Sequence, residues 1–323
     1  MSPRVSVVMP AYEAAGTVGA AVSTVLRQTY RDFELVVVDD GSTDQTPAIA
    51  AAHPGPVRII SQENAGVAAA RNRGIAESRG ELVAFCDADD LWFDEHLSAL
   101  VAAYDAASGK RIATANSFWL YPGGINTSKM RYRGTFPPPD RQREAILEQN
   151  FVSTMSIFPR ALVEEIGPFD ASRERAEDWD FWLRAVYAGY RIVLQRRPLA
   201  LYRWGAAGLS SAYRQMDADV VDILRTVAAR ADLRPTEREY LERRLSGPEP
   251  RVLSRQGDEA LRAGRYKEAA SHLRRAAALV PSERPLVWKA RAIALAPPLV
   301  GRVLRARQLR TERAVGFDER HER

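Results

Sequence analysis

Four short runs rich in Val, Ile and Leu, over Arg4–Met9, Glu34–Asp39, Val57–Ser61 and Leu82–Cys86, alternate with segments of helical spacing over Thr17–Gln28, Asp44–Ala52 and Gly66–Ser78. Parallel strands need long crossovers, and a helix is the usual one. The alternation therefore predicts a parallel sheet covered by helices on both faces. Ligands of such sheets bind beyond the carboxyl ends of the strands. The loops that leave the runs there are Pro10-Ala11-Tyr12-Glu13, Asp39-Asp40-Gly41-Ser42 and Asp87-Ala88-Asp89-Asp90, so polar and acidic groups converge on one edge. No Gly-x-Gly-x-x-Gly follows the first run and no Gly-x4-Gly-Lys occurs, which argues against a dinucleotide enzyme and a P-loop ATPase.

Three carboxylates within four residues, Asp87, Asp89 and Asp90, follow directly on the run that ends at Cys86. Two carboxylates about 4 Å apart repel by roughly 4 kcal/mol at an effective dielectric of about 20. Two arrangements relieve that repulsion. One is a hard divalent cation, Mn²⁺ or Mg²⁺, held by oxygen ligands. The other is a strand-to-helix turn in which Asp90 or Asp94 caps the next helix. A second acidic pair, Glu177-Asp178, opens a helix over Glu177–Ala188 whose Trp179, Trp182, Leu183 and Val186 form one apolar stripe. Acids are favoured at a helix N-terminus by the dipole, which predicts a lowered pKa for Asp178.

The middle of the chain carries weaker signals. Pro137-Pro138-Pro139 marks a loop, Phe151–Phe158 a strand, Ala161–Ile166 a short helix, and Arg191–Leu194 and Leu199–Tyr202 two closing strands. From about residue 216 the strand signals stop: Asp217–Ala231 and Thr236–Leu245 read as helices, Gly247–Pro250 as a break, and residues near 257–281 as one tetratricopeptide-like helix pair. Residues 251–323 hold 17 Lys+Arg against 8 Asp+Glu, a net of +9, while the first 250 balance at −4. The basic tail reads as a solvated helical surface and not as a nucleic-acid site. Its alternative is a basic amphipathic helix, with Leu299, Val303 and Leu304 beside Arg302, Arg305 and Arg310, making peripheral contact with anionic membrane. No apolar run approaches the ~20 residues of a bilayer span. The single cysteine, Cys86, excludes an intramolecular disulfide, which points to a reducing cytoplasm.

Beyond these patterns, Val5-Ser6-Val7-Val8-Met9-Pro10-Ala11-Tyr12, Val25-Leu26-Arg27-Gln28-Thr29-Tyr30, Phe33 through Asp44, Asn64-Ala65-Gly66 through Arg71-Asn72, and the Asp87–Asp90 turn stand in a telling order and spacing. Together they closely resemble glycosyltransferase family 2, the inverting nucleotide-sugar transferases of GT-A fold. The resemblance covers about residues 3–210. It implies an α/β Rossmann-like fold with a mostly parallel central sheet, a catalytic domain over 1–215 and a helical C-terminal region over 216–323. It implies a UDP- or dTDP-sugar donor, a cation (Mn²⁺ or Mg²⁺), and transfer of one sugar to a glycan or lipid-linked glycan in surface polysaccharide biosynthesis.

Carried over residue by residue, Pro10, Ala11, Tyr12, Glu13 and Asp40 would border the nucleotide, with Asp40 accepting from its base or ribose. Asn64, Gly66 and Arg71 would border the donor, unless Asn64 is a helix cap and Arg71 a surface arginine. Asp87, Ala88 and Asp89 would meet the diphosphate, Asp89 as metal ligand assisted by Asp87. Asp178 would be the general base, oriented by Glu177, with Trp179, Arg203 and Trp204 on the acceptor side. The Gln-x-x-Arg-Trp signature of processive enzymes is not met in Leu199–Trp204, which favours one sugar per encounter. The competing function is a non-catalytic nucleotide-sugar or glycan-binding module whose helical tail recruits partners.

Overall fold

Every residue of β1 (Val5–Ala11) and of β2 (Phe33–Asp39) is buried. Strands covered on both faces carry apolar residues without alternation, which is why these two segments read as unbroken runs. The structure, a computed structural model, describes residues 2–132, 134–204, 213–281, 283–295 and 303–304. Its contacts divide the chain into two units, residues 1–146 with 150–212, and residues 147–149 with 213–323.

In the first unit, α1 (Val18–Leu26), α2 (Thr46–Ala51) and α3 (Val67–Glu77) connect β1, β2, β3 (Val57–Ser61) and β4 (Leu82–Phe85). β1 runs parallel to both β2 and β4, and β2 to β3, with Ala11 opposite Asp39. The loops after β1, β2 and β4 therefore leave from one edge. On the face that α3 covers, a Cβ on Gly74 would collide with the Val8 side chain. Glycine is what lets the helix lie this close. Gly74→Ala is expected to cost about 1–3 kcal/mol through overpacking, read as a lower thermal midpoint.

The chain continues through β5 (Leu91–Trp92), α4 (His96–Ala106), β6 (Arg111–Tyr121), β7 (Gly124–Met130), α5 (Gln142–Glu148), β8 (Ser156–Pro159), α6 (Ala161–Ile166), α7 (Glu177–Tyr187) and β9 (Arg191–Arg203). Among the described residues the sheet has nine strands in the order β3-β2-β1-β4-β8-β6-β9-β5, with β7 on β6. Its first four strands are parallel, as expected. The rest is mixed, because β8 pairs antiparallel with both β4 and β6, while β6 and β9 are parallel.

Two expected elements differ from the structure. The expected strand over 151–158 shortens to β8, since Ser153 N–H donates to Thr114 Oγ1 (3.0 Å) and Ser156 Oγ to Ser153 O (2.6 Å). Such side-chain bonds compete with a ladder. The two closing strands are one strand, β9, whose register jumps from Ala115 opposite Gln195 to Asn116 opposite Pro198. Asn116 Nδ2 donates to the Arg196 carbonyl at 3.0 Å across that irregularity. Behind the sheet, α7 packs Phe181 in a stack on Phe169, with ring centroids 4.0 Å apart.

The second unit contains α8 (Tyr213–Ala228), α9 (Pro235–Leu245), α10 (Pro250–Arg262), α11 (Tyr266–Leu279) and α12 (Arg284–Leu295). Leu253, Leu261, Leu273 and Ile293 are among the residues of its core. Buried Arg244 donates to the Leu147 and Glu148 carbonyls and, at 2.7 Å, to the Glu249 carboxylate. Of the proposed amphipathic tail helix only Val303 and Leu304 fall within the described residues. No described helix is long and apolar enough to cross a membrane.

Candidate active site

The loops at the carboxyl edge are tied to one another before any ligand is considered. Asp40, 3% exposed, accepts from Gln62 Nε2 at 2.7 Å, Ala65 N at 3.0 Å and Gly66 N at 2.8 Å. Three of its roughly four acceptor sites are thereby taken. Gly41 stands at φ 79°, and a Cβ there would lie 2.7 Å from Asn64 N, so the second loop passes over residues 64–66 only as glycine. Glu13, at φ 47°, receives Thr43 N and Oγ1 at 2.7 and 2.9 Å, and its own N–H donates to Ser42 Oγ at 3.0 Å. The carboxylates of Asp40 and Glu13, expected to border the nucleotide, thus point into the protein's own loops.

Asp39 accepts from Ser42 N at 3.3 Å and acts as a turn cap. Asn64 is exposed and does not cap α3, whose N-cap is Gly66 at φ 88°. Pro10 and Ala11 are buried in β1, whereas Tyr12 is 54% exposed just beyond it. Tyr12, Asn64 and Gly66 are among the exposed residues of this rim.

The acidic turn splits into three different environments. Asp90 is 1% exposed; its Oδ1 accepts Arg203 N at 2.9 Å and its Oδ2 is buried with no partner among the described residues. Asp87 accepts from Arg71 Nη2 at 3.0 Å and from Thr154 Oγ1 at 3.4 Å. The half-buried Asp89 carboxylate is met by its own backbone N–H, yet burial together with neighbouring Asp87 pushes its pKa up to about 6. Ala88 is buried between them.

A divalent cation is tested against this arrangement by its donor set. No three His, Cys, Asp or Glu side chains among the described residues form a ready-made cage. Mg²⁺-type sites use one or two carboxylates plus substrate phosphates and water, so none is required. Asp89, held back from ionising by burial and by Asp87, is the oxygen ligand that a cation would favour in its charged form. The residues fit a cation completed by a ligand.

Arg71 is where the structure departs furthest from a surface reading. The side chain lies on α3, is 3% exposed, and donates from Nη1 to Glu177 Oε1 at 2.6 Å as well as from Nη2 to Asp87. Its guanidinium also lies over the Phe85 and Phe169 rings. Burial alone would weaken its charge, but Asp87, Glu177 and Asp178 overcome that and raise the pKa. The turn after β4 and the start of α7 are thus joined through one cation.

Asp178, the second residue of α7, accepts Trp179 N–H on Oδ1 at 2.8 Å and Asn150 Nδ2 on Oδ2 at 2.9 Å. Its pKa is raised, contrary to the dipole expectation. Desolvation by burial outweighs Arg71, Arg131 and the Trp179 N–H, all of which act to lower it. Burial likewise raises Glu177 despite its Arg71 partner. Trp179, expected at the acceptor, is a core residue, 4% exposed, with its indole N–H on the Ile146 carbonyl at 2.7 Å. Arg203 belongs to the acidic turn, where its Nε donates to Asp89 O at 2.8 Å. Trp204 is half-buried and lies edge-to-face with Trp119. Sequence reasoning missed Thr154, Asn150 and Arg131, each in a stretch without a motif.

A sheet of this order, with helical flanks and acidic loops on its carboxyl edge, is the GT-A glycosyltransferase fold. The S. aureus TarS fragment 1–349 in complex with UDP-GlcNAc matches it at a TM-score of 0.64 and 22% identity, covering 95% of this chain and 92% of that one. The mannosyltransferase PcManGT from Pyrobaculum calidifontis, in complex with GDP-Man and Mn²⁺, matches at 0.60 and 20% identity, covering 95% and 88%. In sequence, the model for Glycosyl transferase family 2 matches residues 6–167, half of the chain. Succinoglycan biosynthesis protein ExoO of Rhizobium meliloti (strain 1021) is 42% identical over 223 residues, covering 66% of this chain and 64% of ExoO. Glycosyltransferase AglE of Haloferax volcanii is 32% identical over 201 residues, covering 59% and 64%. The chain belongs to glycosyltransferase family 2. It spans just under two thirds of the length of these two relatives.

Proposed function

We propose that the protein is an inverting, divalent-metal-dependent glycosyltransferase. It moves one sugar from a nucleotide donor to a hydroxyl of a glycan or lipid-linked glycan in polysaccharide biosynthesis. The observation that carries this reading is the Arg71 bridge. It holds Glu177, the neighbour of Asp178 on α7, on the same buried cation as Asp87 of the acidic turn, and the charge of that cation acts on Asp178. The kinship with ExoO supports the polysaccharide setting, and we place the reaction in the cytoplasm, where Cys86 stays a thiol.

In this mechanism Asp178 accepts the proton of the acceptor hydroxyl as its oxygen bonds to the anomeric carbon. The carbon–oxygen bond to the diphosphate breaks on the opposite face, and the nucleotide leaves with that electron pair. Tyr12 packs on the nucleotide base, with Pro10 and Ala11 forming the strand end beneath it. Asn64 and Gly66 line the donor. Asp40 and Glu13 act as positioning residues that hold the loops. Asp89, assisted by Asp87, would hold Mn²⁺ or Mg²⁺, which neutralises charge developing on the leaving diphosphate. Arg203 stands beside that turn, and Glu177 and Arg71 orient the base. The Asp89 carboxylate beside Asp87 and the hydrogen-bonded Asp178 favour this over a non-catalytic binding module.

A screen of nucleotide sugars for Mn²⁺-dependent nucleotide release tests the reading. Release is expected from at least one UDP- or dTDP-sugar, abolished by chelation and reduced to background by Asp89→Asn. No release from any donor, with or without metal, would leave only the binding module.

A further inference from the structure

We infer that Asn150 is a positioning residue that aims the Asp178 carboxylate at the acceptor, an inference that rests on the base role proposed above. Asn150 precedes β8, in a segment for which the sequence offered no motif. Its Oδ1 accepts Val152 N–H at 3.1 Å, so its Nδ2 is the atom that faces Asp178 Oδ2 at 2.9 Å. An amide so placed cannot flip without losing both bonds.

The segment that carries Asn150 is pinned on every side. Tyr132 Oη donates to the Phe151 carbonyl at 2.7 Å, Arg131 Nη2 to the Val152 carbonyl at 3.3 Å, and Thr114 Oγ1 accepts from Ser153 N at 3.0 Å. Val152 itself is wholly buried. A donor mounted on such a support fixes the plane of the carboxylate it touches, which is what a base needs to meet a hydroxyl in line. With Trp179 N–H on Oδ1 and the Asn150 amide on Oδ2, the carboxylate is gripped at both oxygens, each keeping a lone pair free.

The charged groups facing Asp178 are Arg71 on α3, Arg131 after β7, Asp87 after β4 and Glu177 on its own helix. Asn150, like the Trp179 N–H, is neutral and favours the ionised form by donating to it. Its loss therefore moves both geometry and titration.

Two substitutions isolate the role. Asn150→Ser keeps a side-chain oxygen for Val152 N–H but withdraws the amide from Asp178. Asn150→Asp keeps that oxygen too and sets one carboxylate against another. Both are expected to fold, to leave donor KM essentially unchanged and to lower kcat. The loss for Asn150→Ser is about tenfold to hundredfold, the range for a hydrogen bond to a charged group. The acidic limb of the kcat–pH profile should move to higher pH, further for Asn150→Asp than for Asn150→Ser. Profiles that superimpose on wild type would overturn the inference, as would failure of both variants to fold, which would make Asn150 purely structural. Asp178→Asn separates the two levels. If it transfers sugar normally, the base assignment has failed and takes Asn150 with it. If it is inactive while the Asn150 variants keep the wild-type profile, the Asn150 role alone has failed.

Discussion

Asp178→Asn is expected to lower sugar transfer by about 10²–10⁴-fold, the usual worth of a general base, with nucleotide-sugar affinity unchanged. The amide is isosteric and retains an oxygen for one of the two donors, Asn150 or Trp179, while its NH2 group faces the other. What it loses is the ability to take a proton. The pH dependence carries the same signature. Burial raises the Asp178 pKa above that of an ordinary aspartate, and only the ionised form is a base. Activity should therefore climb with rising pH along a limb centred above the normal aspartate range, and that limb should vanish in the variant. Calorimetric donor titration and a transfer assay across pH measure both arms. Loss of donor affinity with normal turnover of bound donor would reverse the assignment.

The largest stability effect should come from Arg71→Met. Methionine approximates the volume of the arginine stem, so the change removes charge more than bulk. It would leave Asp87 and Glu177 without the guanidinium that reaches them at 3.0 and 2.6 Å. Breaking one partner out of a buried ion pair costs about 3–5 kcal/mol, or a thermal midpoint lower by roughly 6–20 °C for a domain of this size. Arg71→Lys should fall between, since an ammonium cannot span two carboxylates as a planar fork does.

The deficit has a definite direction with pH. Without Arg71 the folded-state pKa of Glu177, already raised by burial, rises further above its unfolded value. A carboxyl raised in this way favours the folded state when protonated, and that contribution is lost as pH rises through the folded pKa. The gap to wild type should thus be smaller near pH 5 than near pH 8. Equal stability of the variant and wild type at both values would remove Arg71 from its structural role.

Much of the first hundred residues was legible because a parallel strand covered on both faces is mostly apolar along its length, and β1, β2 and β4 are, with Ser6, Glu34 and Asp39 as the polar interruptions. The stripe of α7 was legible for the corresponding helical reason. The second half was not. In β6, Thr114, Asn116 and Ser117 are polar yet buried, made tolerable by partners distant in the chain such as Arg196 O and Ser153 N. Within β9, Gln195 through Pro198 looks like a break, and only the irregular pairing with β6 reveals one strand.

The site divides in the same way. Its acids could be placed on one rim from loop positions alone. Whether a carboxylate faces a ligand or a neighbouring loop depends on contacts far off in sequence, and here Asp40 turned inward. A single arginine on a helix gives no hint of partners 16 and 106 residues away, which is what Arg71 has.

The interlocked rim has a thermodynamic consequence. Glu13 clasps Thr43, Asp44 receives the Ala15 N–H at 3.0 Å, and Asp40 gathers residues 62–66. A molecule settling beside Tyr12 meets a ledge that is already stiff. The entropy of freezing these segments has been met during folding and is not subtracted from its affinity.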